Sequence, residues 1–199
     1  MDKRWPMLLG LALGLAAVAT GFAWGDGAQE QWQLATRYTA RVGFPLLILA
    51  YLARPLHQLA PSGFTRAALA RRRWIGLGFA ISHTIHLASL TTAFRLADEM
   101  PPTVTLVGGG FAYVLLYAMA LTSNDAAQRA MGRWWKRLHR LGIHYLWLIF
   151  AQSYLGRVFD PELMWVGVIF GSIALAAAGV RFAAWLKTRQ RRMAAASLS

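Results

Sequence analysis

The chain has 199 residues, 57% of them hydrophobic, and its 21 Lys and Arg against 8 Asp and Glu give a formal charge of +13. Soluble domains are ordinarily ~45–50% apolar and ~25% charged; a charged share of 15% excludes an ordinary soluble fold. Nucleic-acid binding expects a polar basic face rather than long apolar runs. The lack of cysteine excludes disulfide frameworks, iron–sulfur clusters and thiolate zinc sites.

A membrane-crossing helix needs ~20 mostly apolar residues, and six such stretches follow one another. The first is Trp5–Trp24. Lys3, Arg4 and Ala17-Val18-Ala19 resemble a secretory signal, but the apolar run outlasts a signal core, so a retained span is expected. The second, about 38–53, leads into Ala53-Arg54-Pro55-Leu56. The third covers 74–94 and ends before Asp98-Glu99-Met100-Pro101-Pro102, a turn that cannot continue a helix. The fourth covers 103–122 and contains Gly108-Gly109-Gly110. Ser123-Asn124-Asp125 then offers N-cap chemistry for a short interfacial helix over 125–137. The fifth and sixth spans are 138–155 and 163–186, and the Ala-rich basic tail over 187–199 reads as disordered. Gly10-x-x-x-Gly14 and Gly167-x-x-x-Gly171 read as small-residue packing faces.

Placing the N-terminus in the cytoplasm puts 17 of the 21 basic residues on that side, with Arg37, Arg41, Arg95 and Arg157 opposite. Six of the eight acids accompany those four. Lys and Arg are in excess in cytoplasmic loops. The expectation is an all-α, polytopic integral membrane six-helix bundle with cytoplasmic N- and C-termini.

Of five histidines, His57 falls in a loop and reads as solvated, whereas His83, His86, His139 and His144 fall in the third and fifth spans. Ionisable residues inside membrane helices mark function, although a single one can be an interhelical hydrogen bond. Imidazole suits zinc, copper, iron and haem. No Asp or Glu lies within a span and His-Glu-x-x-His is absent, which argues against a zinc hydrolase and a proton-coupled transporter. Bis-histidine haem requires no carboxylate ligand. Arg72, Arg73, Arg137 and Arg140 stand where propionates would be neutralised, and positive-inside topology alone also accounts for them.

Two motif blocks carry a family resemblance. Arg72-Arg73-Trp74-Ile75-Gly76-Leu77 with Thr84-Ile85-His86-Leu87 resembles the third helix of the ferric reductase-like transmembrane superfamily. Ala120-Leu121-Thr122-Ser123, Gln128-Arg129-Ala130-Met131-Gly132 and Trp135-Lys136-Arg137-Leu138-His139 resemble its passage from helix four into helix five. Within that superfamily the chain resembles the short bacterial haem-binding subunits of periplasmic methionine sulfoxide reductase systems. The resemblance implies a transmembrane haem-binding domain over 1–186 in the bacterial inner membrane, followed by a basic cytoplasmic tail. It implies haem b, one or two, with His86 and His139 at family ligand positions and metal-binding through them. It also implies an electron-transfer subunit fed by a cytoplasmic flavin reductase or a membrane quinol. The acceptor would be periplasmic, a methionine sulfoxide reductase or ferric iron; flavin or quinone would come through partners.

The sequence departs from the family at Gln152, where a second helix-five histidine is expected. At ~1.5 Å per residue, counted from the start of each span, His83 matches His144 in depth better than His86 matches His139. Family position favours His86 and His139; depth favours His83 and His144. The alternative from another class is a haem-free small membrane transporter or assembly factor.

Overall fold

The structure, a computed structural model, describes residues 3–197. It contains seven α-helices: α1 Trp5–Trp24, α2 Ala28–Leu59, α3 Gly63–Leu96, α4 Gly110–Leu121, α5 Asp125–Met131, α6 Arg133–Gly156 and α7 Met164–Ala196. A π-helical turn, Thr105–Gly109, leads into α4, and a 3₁₀ turn, Arg157–Phe159, follows α6. Each of the six apolar stretches lies within one helical rod. Among the described residues α1, α2 and α7 are long and apolar enough to cross a membrane. Thr105–Leu121 passes together with Asp125–Met131 as a pair bent by 106°. The other long helices, α3 and α6, carry the four histidines and several arginines, which dilutes their apolar character.

Side chains are sorted as a membrane environment requires. On α1 the small residues Gly10, Gly14, Ala17 and Gly21 are buried, while Leu8, Leu11, Leu15 and Phe22 are exposed. Without water to drive large apolar groups inward, helices associate through close backbone contact at small residues. A Cβ on Gly10 would lie 2.1 Å from the Gly78 carbonyl oxygen. Gly167 and Gly171 likewise sit against the end of α6 and its following turn.

Four expectations change. The second helix extends well beyond 38–53 at both ends, with Pro45 and Pro55 inside it. Ser62 and Thr65 form a capping box at the start of α3, and Thr65 Oγ1 lies 3.2 Å from His57 Nδ1, so His57 is a packed helical residue rather than a solvated loop one. The interfacial helix stops at Gly132, whose φ of 51° breaks the run; Trp134 and Trp135 therefore open α6. Asn124 caps α5 by accepting from the Ala127 amide at 2.8 Å. Finally, α7 continues to Ala196, because the tail is dominated by Ala and Arg, both strong helix formers, and lacks Gly and Pro.

The core is an aromatic cluster in which Phe44 and Tyr51 of α2 and Phe79 of α3 meet Phe150 and Tyr154 of α6. Phe44 packs on Phe150 and Tyr154 at centroid distances of 5.4 and 5.1 Å. This cluster fixes α6 against α2 and α3 and sets which histidines share a level.

Candidate functional site

The four histidines form two groups. His83 and His86, three residues apart on α3, share a face and stack at 4.6 Å. His83 is buried among Phe79, Tyr113 and Phe150, with centroids at 4.9, 5.4 and 5.2 Å. Its level on α6 is therefore Phe150, six residues or about 9 Å beyond His144. The depth match of His83 with His144 does not hold. The packed core, which sequence cannot reveal, sets the register of α6 against α3.

His139 and His144 instead line a cavity of about 700 Å³, with walls from α2, α3, α4, α6 and α7. That volume is within the ~300–1,000 Å³ usual for cofactor sites. His139 stacks on Trp135 at 4.0 Å, and its Nε2 lies 3.4 Å from Ser123 Oγ. His144 meets the edge of Tyr51 at 5.6 Å. The floor is apolar (Leu47, Phe79, Ala80, Leu116, Leu146), while Arg54, Arg72, Arg73, Arg140, Arg181 and Arg189 stand in its walls. Among the described residues no Asp or Glu lines it. Two α4-side contacts measure the separation of the groups. Tyr113 Oη donates to the His83 carbonyl at 3.2 Å, and Ser123 meets His139. Ten positions separate them, about 15 Å of helix, so His86 and His139 occupy different depths.

A single device recurs at three histidines. His86 Nδ1 lies 3.1 Å from the Thr36 carbonyl oxygen, His139 Nδ1 3.1 Å from that of Trp135, and His144 Nδ1 2.6 Å from that of Arg140. A carbonyl only accepts, so in each neutral ring Nδ1 carries the proton and Nε2 keeps the lone pair. This second contact orients metal-ligating imidazoles and raises their basicity. Thr39 Oγ1 adds a contact to His86 Nδ1 at 3.0 Å. His83 differs: its Nδ1 is buried with no partner. Gln152 is exposed.

Of the four arginines expected near an anionic cofactor, Arg72, Arg73 and Arg140 line the cavity, while Arg137 stacks on Trp134 at 4.6 Å. Arg54 and Arg181 were not anticipated there. Their only sequence signal is Pro55, whose missing N–H leaves the Tyr51 carbonyl without a helical donor. Arg181 Nη1 donates to that carbonyl at 2.8 Å. At one edge Arg73 pairs with Asp125 of α5, and this hydrogen bond and charge hold the Asp125 carboxyl below its ordinary pKa.

The bundle is all-helical, with histidines on its third and sixth helices and an apolar, arginine-walled cavity. The chain belongs to the ferric reductase-like family: the model for the ferric reductase like transmembrane component matches residues 39–151. It is 32% identical over 127 residues to the protein-methionine-sulfoxide reductase heme-binding subunit MsrQ of Cronobacter sakazakii, covering 56% of this chain and 62% of that one. It is 27% identical over 160 residues to the subunits of the same name from Salmonella paratyphi B and Salmonella newport, covering 73% of each chain. No solved structure matches.

Proposed function

We propose that this protein is a b-type haem-binding membrane cytochrome of six spans with both termini in the cytoplasm of a bacterial inner membrane. It passes electrons from a cytoplasmic flavoprotein or membrane quinol toward a periplasmic acceptor, a methionine sulfoxide reductase or ferric iron. The observation that carries the reading is the shared backing of His86, His139 and His144 by main-chain carbonyls. It leaves three Nε2 lone pairs suited to iron. Relatives named as haem-binding subunits support it.

In this reading His86 and His139, at different depths, would be the principal iron donors. His83, whose Nδ1 is orphaned in the core, and His144 stand beside them. Haem supplies one-electron chemistry at its iron. The chain's own residues do the rest. Thr36, Thr39 and the Trp135 carbonyl fix ring orientation and tautomer. Leu47, Phe79, Leu116 and Leu146 exclude water from the cavity floor, and Arg73 and Arg140 offer guanidinium groups to carboxylates.

The test is the oxidised and dithionite-reduced spectrum of protein purified in detergent after expression with a haem precursor. A Soret band that sharpens and shifts on reduction is expected. A colourless protein would end the proposal and favour a haem-free transporter or assembly factor.

A further inference from the structure

Three guanidinium groups converge in the cavity from separate helices. Arg72 of α3 donates through Nε to the Ala50 carbonyl at 3.0 Å. Arg181 of α7 donates to the Tyr51 carbonyl and lies over the Tyr51 ring at 4.2 Å. Both fall on consecutive carbonyls of α2, one turn before Arg54-Pro55. Pro55 removes the helical donor to Tyr51, and its ring crowds that carbonyl outward. Arg54 and Arg181 are both within electrostatic reach of Arg72, and Arg189 is in the same wall. Carbonyl contacts position Arg72 and Arg181 without neutralising them, and among the described residues no carboxylate lines the cavity.

Like charges held together at an apolar boundary are unfavourable unless an anion joins them. Arg72 and Arg181 are half-buried, while Arg54 and Arg189 are exposed, so the cations run from the cavity interior to its mouth. Beside them on α7, Phe182 and Trp185 stack at 5.7 Å, are 59% and 52% exposed, and Arg189 lies over Trp185 at 5.5 Å. A soluble anion would have no use for that apolar ridge. A molecule with an anionic head and acyl chains would use both.

We propose that Arg54, Arg72, Arg181 and Arg189 form a binding site for the phosphodiester headgroup of an anionic phospholipid. Its acyl chains lie along Phe182 and Trp185, and Pro55 is the positioning residue. Basic pockets between membrane helices bind such headgroups. The site rests on the membrane reading but not on haem.

The full-length protein is purified in a neutral detergent and incubated with phosphatidylglycerol, phosphatidylcholine or inorganic phosphate, and bound ligand is counted by native mass spectrometry. Selective retention of one phosphatidylglycerol is expected. Arg54→Gln and Arg181→Gln should each lower it about fivefold, the ratio expected for one basic residue near a headgroup. Pro55→Ala, which restores a donor to Tyr51 and releases Arg181, should lower it with helicity unchanged by circular dichroism. Arg95→Gln, in the last turn of α3, should leave it unchanged. Equal retention of phosphatidylcholine overturns the proposal. So does retention unaffected by the arginine variants, displacement by millimolar phosphate, or expulsion of lipid on haem loading, which would assign the cations to propionates. Absorption spectra of the same samples separate the two readings. Colourless protein that selects phosphatidylglycerol contradicts only haem binding, whereas haem-loaded protein without lipid preference contradicts only this site.

Discussion

Gly10 holds α1 against the helix that carries His83 and His86, and Gly10→Ala tests that contact. The added Cβ would sit 2.1 Å from the Gly78 carbonyl oxygen and 2.6 and 2.7 Å from its carbon and Cα, where ordinary contact begins at 3.4 Å. Both partners are backbone, so no rotamer change relieves the clash, and one helix must withdraw by about 1.3 Å, the gap between those limits. Overpacking of this kind costs ~1–3 kcal/mol. The gain in helix propensity is isolated by Gly179→Ala on α7, where a Cβ meets nothing within 4 Å. At ~2–4 °C per kcal/mol for a chain of this size, Gly10→Ala should melt about 2–12 °C below Gly179→Ala in detergent. Melting followed by circular dichroism reads the difference, and equal midpoints would refute the close α1–α3 contact.

Thr39→Val removes the hydroxyl from His86 while leaving the Thr36 carbonyl. Haem should persist, and a less basic imidazole should raise its midpoint potential in a spectroelectrochemical titration; an unchanged potential counts against His86 as a donor. Trp147→Phe deletes the 3.0 Å bond from the indole N–H to the Ala174 carbonyl that ties α6 to α7. It should cost ~0.5–1.5 kcal/mol, seen as a lower melting midpoint. Asp125, its pKa lowered by the hydrogen bond and charge of Arg73, contributes stability fully above the usual carboxylate pKa of about 3.9, and loses it as pH falls through its lower folded value. The melting difference between wild type and Asp125→Asn should accordingly be present at neutral pH and vanish in strong acid. A difference that grows on acidification would contradict the pairing.

Hydrophobic run length located all six long rods, since apolar stretches and proline turns are local properties of the chain. What the sequence left open depends on packing. Whether His83 meets His144 or Phe150 is decided by how Phe44, Phe79 and Tyr154 interlock, and no residue count along one helix contains that information. The π-turn at Thr105–Gly109 shifts the register of the fourth rod, with Tyr145 donating to the Gly108 carbonyl at 3.2 Å. Nothing in the spacing of its glycine triplet distinguishes a π-turn from a regular helix. Gly132 was legible as a residue but not as a break, because only its left-handed φ ends α5 before the two tryptophans. The carbonyl partners of His86 and His139 divide the same way. Trp135 lies one turn before His139 and follows from helical spacing, whereas Thr36 reaches His86 across 50 positions and needs the fold.

In the proposed reading His86 and His139 are haem donors at separate depths of the bundle. The most direct measurement is the haem-to-protein ratio by pyridine haemochrome assay in wild type, His86→Ala, His139→Ala and the double variant, each checked for native helicity. Each single variant should keep about half the wild-type ratio and the double variant almost none. Complete loss in either single variant would mean one shared haem, and full retention in both would remove these two histidines from the site.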